Sequence, residues 1–339
     1  MMNRAHFEKS TNLHQQIEHA GYILPAISDF LRMKAKYFIF FLLPILFPAC
    51  ETTEKIDDFP LRPSKLVVNC FFNSDSIWEF QVSKSLSVLD NAELKLIRNA
   101  NVKIFREGTL LDSILVADGD GRYRTSNNLP QVGKEFSIEI SSPSFKEKLY
   151  ARDIVPEKVE ISDAKIIITD SAFYDYGYYS YGYMNGSFEI SFDDPADADN
   201  YYEIKVFYLD SIFSFPETGP VFSYLAKRMI GISSEDLSVV NPSDYATSSL
   251  LISDYYFDGQ RKSLSLDFND WSAQKKKGYY LELISLSREG YLYQKTIADY
   301  DNSRGDPFSE PVMIYSNIEN GFGIFSAYSR SIYSLETRF

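Results

Sequence analysis

The sequence predicts an all-β protein of two antiparallel β-sandwich domains, with one short helix in the second. Three observations predict it. Apolar and polar residues alternate at period two through most of the chain after residue 64. Turns containing Gly, Asn or Asp punctuate these runs at short intervals, as they do in sandwiches. One passage, "SREGYLYQKTIADY", switches to helical spacing, with Leu292 and Thr296 on one line and Tyr293, Ile297 and Tyr300 on another.

Residues 1–32 are mixed polar and hold Glu8, Glu18 and Asp29, acids that the start of an export signal avoids. They read as a gene-model extension, with translation expected from Met33. Residues 33–49 have the layout of a signal peptide: Lys34 and Lys36, an apolar run from Tyr37 to Ala49, and then Cys50. That run is short of the roughly 20 residues a spanning helix needs, and Pro44 and Pro48 interrupt it. The Ala49-Cys50 end resembles a lipobox, with Phe47 where Leu is usual. The resemblance implies that Cys50 receives a diacylglycerol and becomes the mature N-terminus; an ordinary signal peptide with an incidental Cys is the alternative. Residues 50–64, polar, acidic and proline-containing, read as a tether. Their acids beside Cys50 resemble the surface-export signals of Bacteroidota lipoproteins.

All three histidines, His6, His14 and His19, precede Met33. A chain beginning at Cys50 therefore lacks Ser-His-Asp and Cys-His nucleophile systems and imidazole-ligated zinc or copper. No cofactor is expected. The formal net charge of −13 becomes −15 once residues 1–49 are removed, which argues against nucleic acid as a partner. The other cysteine, Cys70, lies in the apolar run "KLVVNCFF" and reads as a small packed hydrophobe without a disulfide partner.

The N-terminal sandwich is expected over residues 65–155. In "IWEFQVSKS" Trp78, Phe80 and Val82 alternate with Ile77, Glu79 and Gln81, and "ANVKIFREG" sets Val102 and Ile104 on one face. "TLLDSILVADGDGRYRT" and "GKEFSIEISS" continue the pattern. The spacing of Gly121–Tyr123 and Gly133–Phe136 resembles the carboxypeptidase-regulatory, transthyretin-like sandwich. Asp118-Gly-Asp-Gly reads as a tight turn, because the sixth position of a calcium loop counted from Asp118 is Tyr123 and not Gly.

A junction is expected at Val155–Lys158, followed by a C-terminal sandwich over 156–339. Strands Ser187–Phe192 and Tyr201–Leu209 flank an acidic loop and resemble a hairpin of a fibronectin type III or immunoglobulin-like domain. Asp193, Asp194, Asp197 and Asp199 in that loop are the sequence's calcium candidates, set against the commoner reading of solvated turn aspartates. "SAFYDYGYYSYGYMNG" packs seven aromatics around Gly177 and Gly182, glycines that argue against a firm strand. Tyr176, Tyr178, Tyr179 and Tyr181 are its candidate binding residues, since Tyr on an adaptable backbone gives contact area at low entropy cost. The alternative is a hairpin whose tyrosines cover the sheet.

Phe257-Asp-Gly259, the Tyr-rich helix, Asp306–Pro311 and Ser316–Gly323, with the lipobox, "SKLVVNCFF", "NANVKIFREG" and "GKEFSIEIS", resemble the Bacteroidota lipoprotein family called domain of unknown function 4249. The resemblance covers residues 50–339. It implies a non-catalytic lipoprotein anchored in the outer membrane through lipid on Cys50, on its periplasmic or cell-surface face. It also implies a binding or accessory role beside a TonB-dependent transporter. A carboxylate-based glycoside hydrolase is one alternative, though no acidic pair stands out. A transmembrane β-barrel is another, against which the expected strands count as mostly shorter than the 9–11 residues of a spanning strand.

Overall fold

The computed structural model describes residues 63–87, 93–177, 180–214, 222–240, 246–271, 278–304 and 308–336. Strand-forming, period-two segments come first. They are β1 (Leu66–Phe72), β2 (Glu79–Lys84), β3 (Asn101–Arg106), β4 (Thr109–Ile114), β5 (Arg122–Arg124), β6 (Glu135–Ser141) and β7 (Leu149–Ile154). Their inward faces are those the alternation marks: Trp78, Phe80, Val82, Val102 and Ile104 are completely buried. Trp78 stacks on Phe72 with ring centroids 4.4 Å apart, and Phe72 stacks on Phe325 at 4.5 Å. Cys70 is buried in the same core, and burial pushes its thiol well up, so it packs as a hydrophobe.

The second half supplies six longer strands and two short ones: β8 (Ile161–Asp175), β9 (Ser180–Asp193), β10 (Tyr201–Ser214), β11 (Phe222–Ile230), the short β12 (Ile232–Ser233) and β13 (Leu250–Ser253), β14 (Arg261–Asp270) and β15 (Gly278–Leu286). The helix α1 (Arg288–Ser303) and β16 (Phe322–Glu336) complete the chain. Helix α1 starts where Ser287 caps it, its hydroxyl accepting from the Gly290 N–H, and it carries the helical spacing of the sequence.

Two four-stranded sheets, β4-β3-β6-β7 and β12-β14-β9-β8, each contribute one face of a core. The opposing face of both is one larger sheet, ordered β11-β10-β15-β16-β1-β2-β5 with β13 beside β10. The fold is thus all-β and built of sandwiches. The expected junction at Val155–Lys158 falls between β7 and β8. It does not divide the molecule cleanly, because Leu61–Phe339 form one compact unit. The reason is β16, which pairs in parallel with β1 over Phe322–Ala327 and antiparallel with β15 over Tyr328–Glu336. Phe325 and Ala327 enter the first core, while Tyr333 and Leu335 pack against the second.

Nine of the sixteen described strands are shorter than nine residues, while seven of the second half, β16 among them, reach nine or more. What makes this a sandwich is not strand length but stacked sheets around filled cores. Phe188, for example, meets Phe268 at 4.6 Å and Tyr279 at 5.1 Å between the two layers.

Candidate functional site

The register puts several chain reversals at one end. Strand β8 runs up to Asp175 and β9 returns from Ser180; β10 rises to Ser214, β14 to Asp270, and β16 to Glu336. The aromatic segment caps this end as a strand hairpin and not as the loose loop its glycines suggested. Gly177 makes the turn at φ +78°, with its N–H donating to Asp175 Oδ1 at 2.9 Å. Gly182 lies opposite Phe173, whose ring covers the space a side chain would fill: a Cβ there would sit 2.5 Å from Phe173 Cδ1.

Period two then divides the hairpin. Phe173 and Met184 face the core, and Tyr174, Tyr181 and Tyr183 face outward. Tyr174 and Tyr181 are cross-strand partners stacked at 5.0 Å, and Tyr176 lies over Tyr181 at 6.0 Å with rings nearly parallel. Tyr183 packs on Trp271 at 5.3 Å, and its hydroxyl donates to Asp170 Oδ2 at 2.9 Å, which raises the Tyr183 pKa. These groups face water: Trp271 is 72% exposed, Tyr176 53% and Tyr181 44%. Of the four candidate tyrosines, Tyr176 and Tyr181 are brought together here; Tyr178 and Tyr179 lie outside the described residues. Sequence reasoning missed Tyr174, Tyr183 and Trp271. Alternation through 181 and 183 was the available signal, hidden by the weight given to the glycines.

The calcium candidates separate. Asp193 is exposed and faces Arg261 at 3.5 Å, and Asp197 and Asp199 are exposed. Asp194 alone turns inward, where one carboxylate oxygen from each of Asp194, Asp254 and Asp258 lies within 4.8 Å of the other two. This trio has the hard oxygens a divalent cation takes. Protein donors also serve it: the Tyr202 hydroxyl and the Gly259 N–H (2.9 Å) donate to Asp194, and the Asn200 N–H donates to Asp254 at 2.7 Å. Burial raises the pKa of Asp194 and of Asp254. The geometry clamps the β9–β10 loop to the turn before β14. Asp118 and Asp120 form the turn expected of them, both bonded to Arg124, which holds Asp120 down at about 2.

Two further concavities are lined in part by charged side chains. On the outer face of the large sheet, a hollow of about 480 Å³ contains buried Glu203 and Glu282, bonded to Lys205 at 2.8 Å and Lys227 at 2.7 Å. Another, of about 580 Å³, lies between β6–β7 and the segment Tyr315–Glu319, where Tyr315 donates to Glu289.

Comparison with known proteins places the chain. The model of the family described as domain of unknown function (DUF4249) matches residues 51–334. The chain belongs to this family. No curated protein matches. Among solved structures, a two-domain fibronectin type III segment of chicken tenascin is similar at 11% identity, covering 81% of this chain and 100% of its own, with a TM-score of 0.19. The collagen-binding domain of surface protein RspB of Erysipelothrix rhusiopathiae is similar at 7% identity, covering 78% and 96%, with a TM-score of 0.15.

Within this DUF4249 chain, the residues that carried the resemblance prove architectural where they are described. Gly259, at φ +67°, sits so close to Ala196 that a Cβ would come within 2.7 Å, and it gives its N–H to Asp194. Ser316–Gly323 leads into β16: the Asn317 amide bonds both backbone groups of Phe325, at 2.7 and 3.0 Å. Gly323, at φ +105°, lies against the Val68 carbonyl where a Cβ would be 1.9 Å away. Asp306 lies outside the described residues. The aromatic end is separate from all of these.

Proposed function

We propose that this protein is an outer-membrane lipoprotein of the Bacteroidota, anchored through lipid on Cys50, that acts without catalysis as a binding or accessory component of a TonB-dependent transporter. The N-terminal sandwich is read as transthyretin-like. One observation carries the proposal: the exposed aromatic end lies far from the point where the tether joins the fold. Strand β1 begins beside Phe322 at the start of β16, while the aromatic hairpin shares the end where β16 finishes at Glu336. Fifteen extended residues of β16 set these points roughly 50 Å apart. Tyr174, Tyr176, Tyr181 and Trp271 thus lie at the end of the described fold opposite Leu66, where β1 begins. Exposed aromatic groups of this density mark interaction surfaces, and a few buried tyrosines can dominate binding.

The test is co-purification of the full-length lipoprotein with its transporter. Replacing Tyr176, Tyr178, Tyr179 and Tyr181 by Ser is expected to abolish it while thermal unfolding stays cooperative. Undiminished co-purification would refute the proposal. So would loss of cooperative unfolding, since the tyrosines would then be holding the fold. Cys50→Ser is expected to abolish fatty-acid labelling and membrane association, and a variant as firmly membrane-bound as wild type would remove the anchor from the account.

A further inference from the structure

We propose that the outer face of the β12-β14-β9-β8 sheet is a binding site for a neutral saccharide chain. The register orders that face in rungs. Ser187 lies opposite Asp267, which in turn lies opposite Ser233; on the next rung Asn185 lies opposite Asn269, with Asp170 beside them on β8. The following rung is Tyr183 with Trp271, and the last is Tyr174 with Tyr181. Same-face rungs repeat about every 7 Å, so the passage from polar to aromatic side chains spans roughly 20 Å, the reach of a short oligosaccharide.

The polar rungs are hollow. Thr169, Asn185, Ser187, Ser233, Asp267 and Asn269 line a concavity of about 460 Å³. Small side chains leave this room, and their chemistry mixes amide donors with hydroxyl and carboxylate acceptors. The side-chain carbonyl of Asn185 is shut off from water and meets no donor among the described residues.

Those features select the ligand class. A sugar hydroxyl both donates and accepts, matching the mixed rungs, and the apolar face of a pyranose ring suits Tyr183 and Trp271, which are flat, rigid and wet at the edge. Asp170 and Asp267, in a chain of net charge −13, repel acidic sugars and other anions. An apolar peptide would bury Asp267 and Asn269 without partners. The polar rungs, Ser187 with Asp267 and Asn185 with Asn269, take no part in the surface proposed for the transporter, whereas Tyr174, Tyr181 and Trp271 are common to both, so the two asparagines are the positions that separate the two proposals.

The chain contains its own probe. Of two tryptophans, Trp78 is fully buried and Trp271 is 72% exposed, so a change in exposed-tryptophan emission reports this face. Full-length protein would be titrated with cellohexaose, maltohexaose, mannohexaose and xylohexaose, and with trigalacturonate as the charged comparison. At least one neutral hexaose is expected to blue-shift the emission saturably, with Kd in roughly the micromolar to millimolar range, and trigalacturonate to leave it unchanged. Asn185→Ala and Asn269→Ala are each expected to weaken binding about tenfold or more while the buried Trp78 emission is retained. Asn269 is exposed on its strand, so its variant tests the site even where Asn185→Ala unfolds. Absence of any shift up to about 10 mM hexaose would overturn the assignment, as would wild-type affinity in the folded Asn variants. Transporter co-purification in these variants reads the earlier proposal separately, and it is expected to remain at wild-type level when saccharide binding is lost.

Discussion

Asn317 and Asp153 stand in for a neighbouring strand along the edge of β16 that β15 does not reach. Asn317 bonds the N–H and carbonyl of Phe325; Asp153 Oδ2 accepts from the Ala327 N–H at 2.7 Å and from the Ser287 hydroxyl at 2.5 Å, while the Ser287 N–H donates to the Ala327 carbonyl. Phe325 is completely buried, so removing its partner leaves polar groups without water. Asn317→Ala is expected to lower stability by about 1–3 kcal/mol in a denaturant titration. Burial pushes the Asp153 carboxyl up to about 7, against three hydrogen bonds that favour its charged form. A carboxyl raised in the folded state stabilises fully below its unfolded pKa near 4, and that contribution is lost as pH rises through the folded value near 7. Between pH 4 and pH 8, wild type is therefore expected to lose stability, by on the order of a few kcal/mol, relative to Asp153→Asn. A pH-independent difference between the two proteins would contradict this. Neither residue's role was legible in the sequence, since each partner lies 8 to 174 positions away. Cys70 and Trp78 were legible because burial and alternation are local properties.

At the scale of elements, legibility follows the core. Strands β1, β2, β3 and β6 bury one face; period two located the last three, and a continuous apolar run marked β1. Strand β8 is different: beyond Ala164 no residue is fully buried and only Ile166 and Phe173 pack against the core, so little alternation was left to read. Cross-strand pairing makes it a strand nonetheless, through thirteen partners in β9 and a bulge at Ile168/Asp170 where Gly186 admits the Ile167 carbonyl. Helix α1 was legible from its spacing, and its Ser287 cap emerged with the structure. Gly182→Val is expected to displace the Phe173 ring and cost about 1–3 kcal/mol, with the Trp78 core unchanged. Gly323→Ala is expected to be worse, because φ +105° and the Val68 carbonyl both oppose a side chain at the β1–β16 pairing. Comparing the two by thermal denaturation separates a hairpin defect from a defect in the shared strand.

The whole molecule is organised by β16, which the sequence could not reveal as shared: its pattern is an ordinary alternation, and its parallel partner β1 lies some 250 residues upstream. Coupling through this strand leads to the expectation that Trp78 fluorescence and near-ultraviolet tyrosine signals lose structure in one coincident transition; two separated midpoints would show independent sandwiches. The same strand sets the exposed aromatic end opposite the start of the fold, on which the functional reading depends. The direct test is a photo-crosslinking amino acid placed in the full-length lipoprotein at Tyr176 and, separately, at Leu115, an exposed position on the N-terminal sandwich. The account predicts a crosslink to the TonB-dependent transporter from position 176 and none from position 115. A transporter crosslink from 115 with none from 176 would contradict it.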